Sequence, residues 1–235
     1  MTHYLKKIAA WLLPFHCLLC GELSTRHQDL CEACYQILPF AEKGCRRCAA
    51  PLTAQTLCGY CLKHKNLPFN ETHTLFIYQW PIANLILKLK FQHSLVVARL
   101  LGELLAEKIK YHWYQTKPLP DVIIPVPLHI ERLKERGFNQ AAEIARPIAS
   151  LINRPLLDRA CFKIKSTMAQ ATLPQAVRQK NVKNAFQIDY SFKNLRVAVI
   201  DDVVTTGSTV FEVCKELKKA GALAVDVWCL GRPIL

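Results

Sequence analysis

Eight of the chain's eleven cysteines stand in four C-x-x-C pairs within its first 61 residues. The pairs are Cys17/Cys20, Cys31/Cys34, Cys45/Cys48 and Cys58/Cys61, separated by ten, ten and nine residues. A segment this short cannot build a core of its own, so the pairs must do the structural work. "CLLCGELSTRHQDLCEAC" (17–34) and "CRRCAAPLTAQTLCGYC" (45–61) share one plan. Each has a pair, a polar turn-rich spacer, a leucine directly before the next cysteine, and a second pair. A repeat of about 28 residues predicts that each copy closes its own site. Two residues between cysteines let one tight knuckle present both sulfurs to one ion. Four thiolates then complete a closed tetrahedron, the arrangement of structural zinc, with no position left for water or catalysis. The expectation is two zinc ions, each supplying folding energy to its ribbon. An iron–sulfur cluster is the alternative by ligand type. A redox dithiol has no thioredoxin-like unit to support it. Cys161, Cys214 and Cys229 are isolated in apolar surroundings and read as small core residues.

A reducing, cytoplasmic setting is expected, and there C-x-x-C arrays mean metal before disulfide. Lys6 and Lys7 before Ile8–Phe15, with Cys20 beyond, loosely imitate an export signal. Leu19 is too large for the usual cleavage position, and Cys20 already belongs to a pair. No segment has the run of apolar residues a membrane helix needs, so a chain that does not span a membrane is expected. Half of the residues are hydrophobic, enough for a packed core. The formal charge is +13; two zinc tetrathiolates would lower it to about +9. That balance favours an anionic partner, nucleic acid or polyphosphate, although a basic solvated surface is the common bland explanation.

"NLPFN" (66–70) marks a boundary between a ribbon module, 1–66, and a larger domain, 67–235. "HTLFIYQW" reads as a strand. Ile82, Leu85, Ile86 and Leu89 recur at helical spacing after Pro81, and Leu95–Trp113 gives a second helix. Lys88 and Lys90 read as solvated, with Lys88 able to face a site. Val122–Ile124 is a short strand ended by Pro125 and Pro127. A basic loop with Arg132, Lys134 and Arg136 follows, then a helix capped near Asn139. Pro147 predicts a kink or an early end to that helix. Arg159–Ala185 holds six basic residues and no acid. It reads as a mobile basic loop able to close over a polyanion, or as a solvated linker.

"VIDDVVTTGSTV" (199–210) carries the chemistry. The buried-looking run Leu195–Ile200 meets Asp201 and Asp202, then a loop of small hydroxylated residues. Val210, Val213, Cys214 and Leu217 mark a helix face that Gly221 ends, and "AVDVWCL" returns as a strand. A ligand of this βαβ unit belongs at the carboxyl ends of the strands. Thr205–Thr209 can surround a phosphate at the helix N-terminus. The two carboxylates can accept hydrogen bonds from vicinal ribose hydroxyls, so a sugar 5′-phosphate satisfies both. The Mg²⁺-holding strand of P-loop ATPases is the rival, but its G-x-x-x-x-G-K-[ST] partner is missing. An N-capped turn explains Thr205 or Ser208 but not two adjacent acids.

"VAVIDDVVTTGST" resembles the phosphoribosyl-pyrophosphate (PRPP) motif of type I phosphoribosyltransferases. With "RGFNQ", the run Gln175, Arg178, Asn181, Asn184, Phe186 and the cysteine array, the whole chain resembles the ComF family of competence proteins, including its GntX-like members. The resemblance implies an α/β fold: a phosphoribosyltransferase-like parallel sheet flanked by helices behind a double zinc ribbon. It implies that Asp201 and Asp202 take the ribose and that Thr205, Thr206, Gly207, Ser208 and Thr209 take the 5′-phosphate. Arg136 and Arg178 are expected to join them, with Mg²⁺ accompanying PRPP. The acid-free segment would be the flexible loop of these transferases. Expected partners are PRPP, single-stranded DNA and proteins of the competence machinery, in natural transformation. The acceptor and any catalytic residue are left unspecified. A zinc-ribbon adaptor with a PRPP-sensing pocket and a nucleotide-salvage transferase are the alternatives. DNA is expected on the ribbons at Arg46 and Arg47, with Phe69, Trp80 and Trp113 in core packing rather than base stacking.

Overall fold

A computed structural model describes residues 14–54, 56–166 and 182–234. The cysteine repeats fold as two copies of one small unit. His16 bridges Leu23 in the first and Gly44 bridges Pro51 in the second, each closing a knuckle around a C-x-x-C pair. Cys17 N donates to Glu22 O and Cys45 N to Ala50 O, both at 2.8 Å. Each second pair opens a short helix, α1 (Glu32–Gln36) or α2 (Gly59–Lys63). Cys31 and Cys58 are their N-caps, so a sulfur stands where an oxygen usually accepts the first free N–H.

The remaining chain is α/β. β1 (Glu71–Ile77) leads to α3 (Ile82–Gln92) and α4 (Leu95–Lys108), which continues as a π-helical turn, Ile109–Trp113. β2 (Val122–Pro125), α5 (Ile130–Arg136) and α6 (Gln140–Leu151) follow. β3 (Cys161–Lys163) and β4 (Phe186–Ile188) pair antiparallel as a separate arm. β5 (Arg196–Val203), α7 (Ser208–Lys219) and β6 (Ala224–Arg232) form the βαβ unit. The main sheet has the order β1-β6-β5-β2, with every neighbouring pair parallel. Among the described residues, no helix is long and apolar enough to cross a membrane.

Several expectations change. Arg132, Lys134 and Arg136 lie on a helix, α5, not on a loop. "IERLKER" is built largely of straight-chain residues that lose little freedom in a helix, and His129 caps it. Pro147 does not end α6, which runs on to Leu151. The proline ring packs where α4 carries Gly102; a Cβ there would stand 2.5 Å from Pro147 Cγ and 2.6 Å from Ile144 O. The strand before the acids does not stop at Ile200. Its ladder with β6 continues to Val203 opposite Gly231, so both acids lie within β5. Trp80 is 65% exposed rather than packed in the core. Phe69 is buried, and Trp113 stacks on His73 with ring centroids 4.8 Å apart.

Residues alternate along β5 so that both faces are buried. Ala198 and Ile200 join the layer of α3, α4 and α6; Val197 and Val199 join the layer of α7. Cys161, Cys214 and Cys229 are buried in the α7 layer. The ribbons divide between these layers. Cys17, Leu30 and Leu38 of the first pack with α3, α4 and α6, whereas Cys48 of the second packs on the α7 side. Between them the chain passes along the outer edge of β1. Phe40 bridges Phe76, Ala41 N donates to Leu75 O at 3.0 Å, and Ile77 N donates to Pro39 O at 2.8 Å. On the opposite edge Leu156 bridges Ile123 of β2, flanked by two 2.9 Å bonds, Ile123 N to Pro155 O and Leu157 N to Ile123 O.

Candidate functional site

The eight paired cysteines form two clusters in sequential order: Cys17, Cys20, Cys31, Cys34, and Cys45, Cys48, Cys58, Cys61. Within each, all four sulfurs lie within 4.8 Å of one another. Backbone N–H groups of Cys34, Cys58 and Cys61 point at the sulfurs of Cys31, Cys45 and Cys58 at 3.3–3.5 Å. Burial opposes ionisation of Cys17 and Cys45, yet backbone donors outweigh it and bring these thiols down to about 6 and about 7. Burial and crowding by neighbouring sulfurs push Cys34 and Cys61 far up. Four thiolates at this spacing repel one another unless a cation shares them. The donor set fits a closed tetrahedral Zn²⁺ site in each ribbon.

The second candidate site lies at the carboxyl end of β5. Adjacent side chains of a strand point to opposite faces, and the two acids acquire different neighbours. Asp202 is buried; its Oδ2 lies 2.9 Å from Lys90 Nζ of α3 and accepts from Gln140 Nε2 of α6 at 3.4 Å. Its Oδ1 accepts from Val203 N at 2.6 Å. Burial would lower the Lys90 pKa, but the attraction of Asp202 prevails and raises it. Asp201 accepts from Asp202 N at 2.9 Å and feels the positive charges of Lys90 and, more weakly, Lys163. Its burial, reinforced by the charge of Asp202, pushes its carboxyl up to about 7.

Thr205–Thr209 follow. Gly207 takes φ +79°, a left-handed turn that lets the chain enter α7 without a side-chain cap. Thr206 Oγ1 and Ser208 Oγ are 2.9 Å apart. Arg232, at the end of β6, fixes the loop from beneath. Its Nη1 donates to Val204 O at 2.7 Å and to Thr205 O. The strand end therefore joins a carboxylate pair to a hydroxyl-rich helix N-terminus. Arg136 is near enough for its charge to meet Asp202, although its guanidinium carbon lies 5.9 Å from the Phe91 ring centroid. Residues 167–181, with Arg178 and most of the acid-free basic segment, lie outside the described residues.

Sequence reasoning misses four residues here. Lys90 reads as solvated, although it directly follows the buried Leu89. Gln140 stands in "RGFNQ" without a role. Arg232 is a charge closing an apolar strand, a signal that could have been noticed. Lys163 counts in the sequence only as one of the acid-free run.

Two four-cysteine ribbons on an α/β domain with a four-stranded parallel sheet define the class: a double-zinc-ribbon protein with a parallel α/β domain. The family description "Double zinc ribbon domain" matches residues 8–62. The DNA utilization protein YhgH of Escherichia coli (strain K12) is 34% identical over 225 residues, covering 94% of this chain and 99% of that protein. Competence protein F of Haemophilus influenzae is 36% identical over 226 residues, covering 93% and 97%. Competence protein ComFC of Streptococcus pneumoniae is 25% identical, covering 92% and 99%. The chain belongs to the ComF family of competence proteins. Among solved structures, a purine phosphoribosyltransferase from Pyrococcus horikoshii matches with a TM-score of 0.33 and 27% identity, over 56% of this chain and 70% of that one. A likeness that low adds nothing to the family assignment.

Proposed function

We propose that the chain binds PRPP as a phosphoribosyltransferase-like protein and acts in the uptake or processing of single-stranded DNA in natural transformation. One observation carries the PRPP reading: the acid pair at the end of β5 adjoins a hydroxyl-rich helix N-terminus. In this reading Asp201 and Asp202 accept from the ribose hydroxyls. Thr205, Thr206, Gly207, Ser208 and Thr209 receive the 5′-phosphate, and Arg136 and Arg178 add positive charge. Lys90 and Lys163 add positive charge around the acids. The carboxylates are hard oxygen donors of the kind Mg²⁺ takes, and that ion would neutralise a bound pyrophosphate. No residue is assigned to catalysis, because the arrangement specifies no acceptor. The DNA reading is supported by the basic balance and by relatives named for DNA utilization and competence.

Calorimetry with PRPP and Mg²⁺ tests the pocket. Asp201→Asn with Asp202→Asn should keep the fold and its zinc while losing about 1–3 kcal/mol per ribose contact. Equal affinity in wild type and double mutant would remove the assignment.

A further inference from the structure

Between the second ribbon and the phosphate loop lies a cleft of about 1080 Å³. One wall is α2 and its continuation, with Tyr60, Lys63, His64 and Lys65 all exposed. The Tyr60 and His64 rings lie 4.4 Å apart between centroids, and Tyr60 is 48% exposed. The opposite wall is Thr205–Ser208 with Phe211. Lys183 and Arg232 also line it, so its described walls carry four Lys and Arg side chains against one acid, Glu212. That acid is engaged elsewhere: it accepts from Asn184 N at 3.1 Å and pairs with Lys215 at 3.5 Å. Arg232 supplies a second, independent observation. It is 5% exposed, and its Nε has no hydrogen-bond partner although its Nη1 is used twice. The Nε itself is sealed from the cleft, but the Arg232 side chain lines its floor, and that buried positive charge favours an anion there.

We infer that this cleft seats the end of a single DNA strand, resting on the proposed handling of single-stranded DNA. A base stacks on the Tyr60–His64 face, which requires an unpaired nucleotide. Phosphates meet Lys63 and Lys65 at the rim and Arg232 at the base, next to the phosphate loop. The volume lies at the upper limit of pockets for single small ligands, which favours a strand end over a free nucleotide. Neither Arg46 nor Arg47 lines the cleft. The strand therefore meets the second ribbon at its α2 side rather than at the knuckle holding those arginines.

The experiment uses the full chain loaded with zinc and a fluorescein-labelled oligo-dT strand at low salt, read by anisotropy. Tyr60→Ala with His64→Ala should weaken binding about tenfold, within the range for one stacked base. Zinc content and PRPP affinity should stay as in wild type, and Tyr60→Phe, which keeps the ring, should bind DNA normally. A 5-iodouracil strand should photo-crosslink within α2 or at His64. Unchanged affinity in the double variant, or crosslinks confined to Arg46 and Arg47, overturns the cleft alone. Thymidine monophosphate binding as tightly as the strand overturns the strand end in favour of a free nucleotide. Absence of DNA binding by wild type overturns the DNA reading itself and leaves the PRPP pocket to its own calorimetric test.

Discussion

Asp201 and Asp202 are adjacent and share the charge of Lys90, yet only Asp202 pairs with it directly. Asp202 holds a cation, Lys90, at 2.9 Å, whereas burial and the charge of Asp202 lift Asp201 to about 7. An unfolded chain releases this proton near pH 4, as an ordinary aspartate does. Between about pH 4 and pH 7 the folded form holds a proton that the unfolded form lacks. Stability from this group is therefore full below pH 4, falls as the pH rises to about 7, and is level above. Asp201→Asn removes the titration. The variant should exceed wild type in stability at pH 8 by on the order of a few kcal/mol, and the gap should shrink as the pH drops toward 5. Thermal melts of zinc-loaded protein across that range check it; a gap independent of pH would show that Asp201 ionises as an ordinary aspartate. PRPP affinity should move the other way, rising through pH 7, because a protonated Asp201 offers fewer lone pairs to ribose hydroxyls.

At the scale of elements, the contact between α4 and α6 explains why a proline survives inside a helix. Gly102 leaves room for the Pro147 ring and the Ile144 carbonyl. Gly102→Ala would place a methyl group against backbone, which cannot yield cheaply. It should cost about 1–3 kcal/mol in denaturant unfolding, despite the better helix propensity of alanine. A neutral result would mean the helices separate freely. The ribbons make an independent test. Their sulfur clusters close within each repeat and sit on opposite layers of the core. Cys17→Ser should lose one of two zinc ions by metal analysis; loss of both would contradict independent closure. The ribbons and the βαβ unit were legible because each is local: spacing sets the cysteine clusters, and alternation sets the buried strand. Lys90 was not, because its partner Asp202 is distant in sequence and only tertiary packing of α3 brings them together. The α5 segment reads as a loop because its charge draws attention away from its helix-forming side chains. The roles of Gln140 and Arg232 are hidden for the same reason as that of Lys90, their contacts lying on other elements.

Across the whole molecule, a formal charge of +13 should show as a salt effect. Affinity for single-stranded DNA should fall linearly on a log–log plot, with a slope of about 0.7 for each phosphate neutralised, and show little sequence preference. Binding insensitive to salt would assign the excess charge to solvation alone. The covered edges of the sheet have another outcome. Pro39–Ala41 bond to β1 over Leu75–Ile77, and Pro155–Leu157 bond to β2 at Ile123. The outer part of β1 before them carries Glu71, paired with His73 at 3.1 Å and Lys117 at 2.5 Å. Recruitment by strand addition needs a free row of backbone donors and acceptors, and charged edges discourage it. Along these covered stretches of the main sheet a companion protein meets side chains rather than a free row of backbone groups. The linker that joins the two metal knuckles thus also limits the chain's self-association, because it occupies the rim along which sheets of neighbouring copies would otherwise merge.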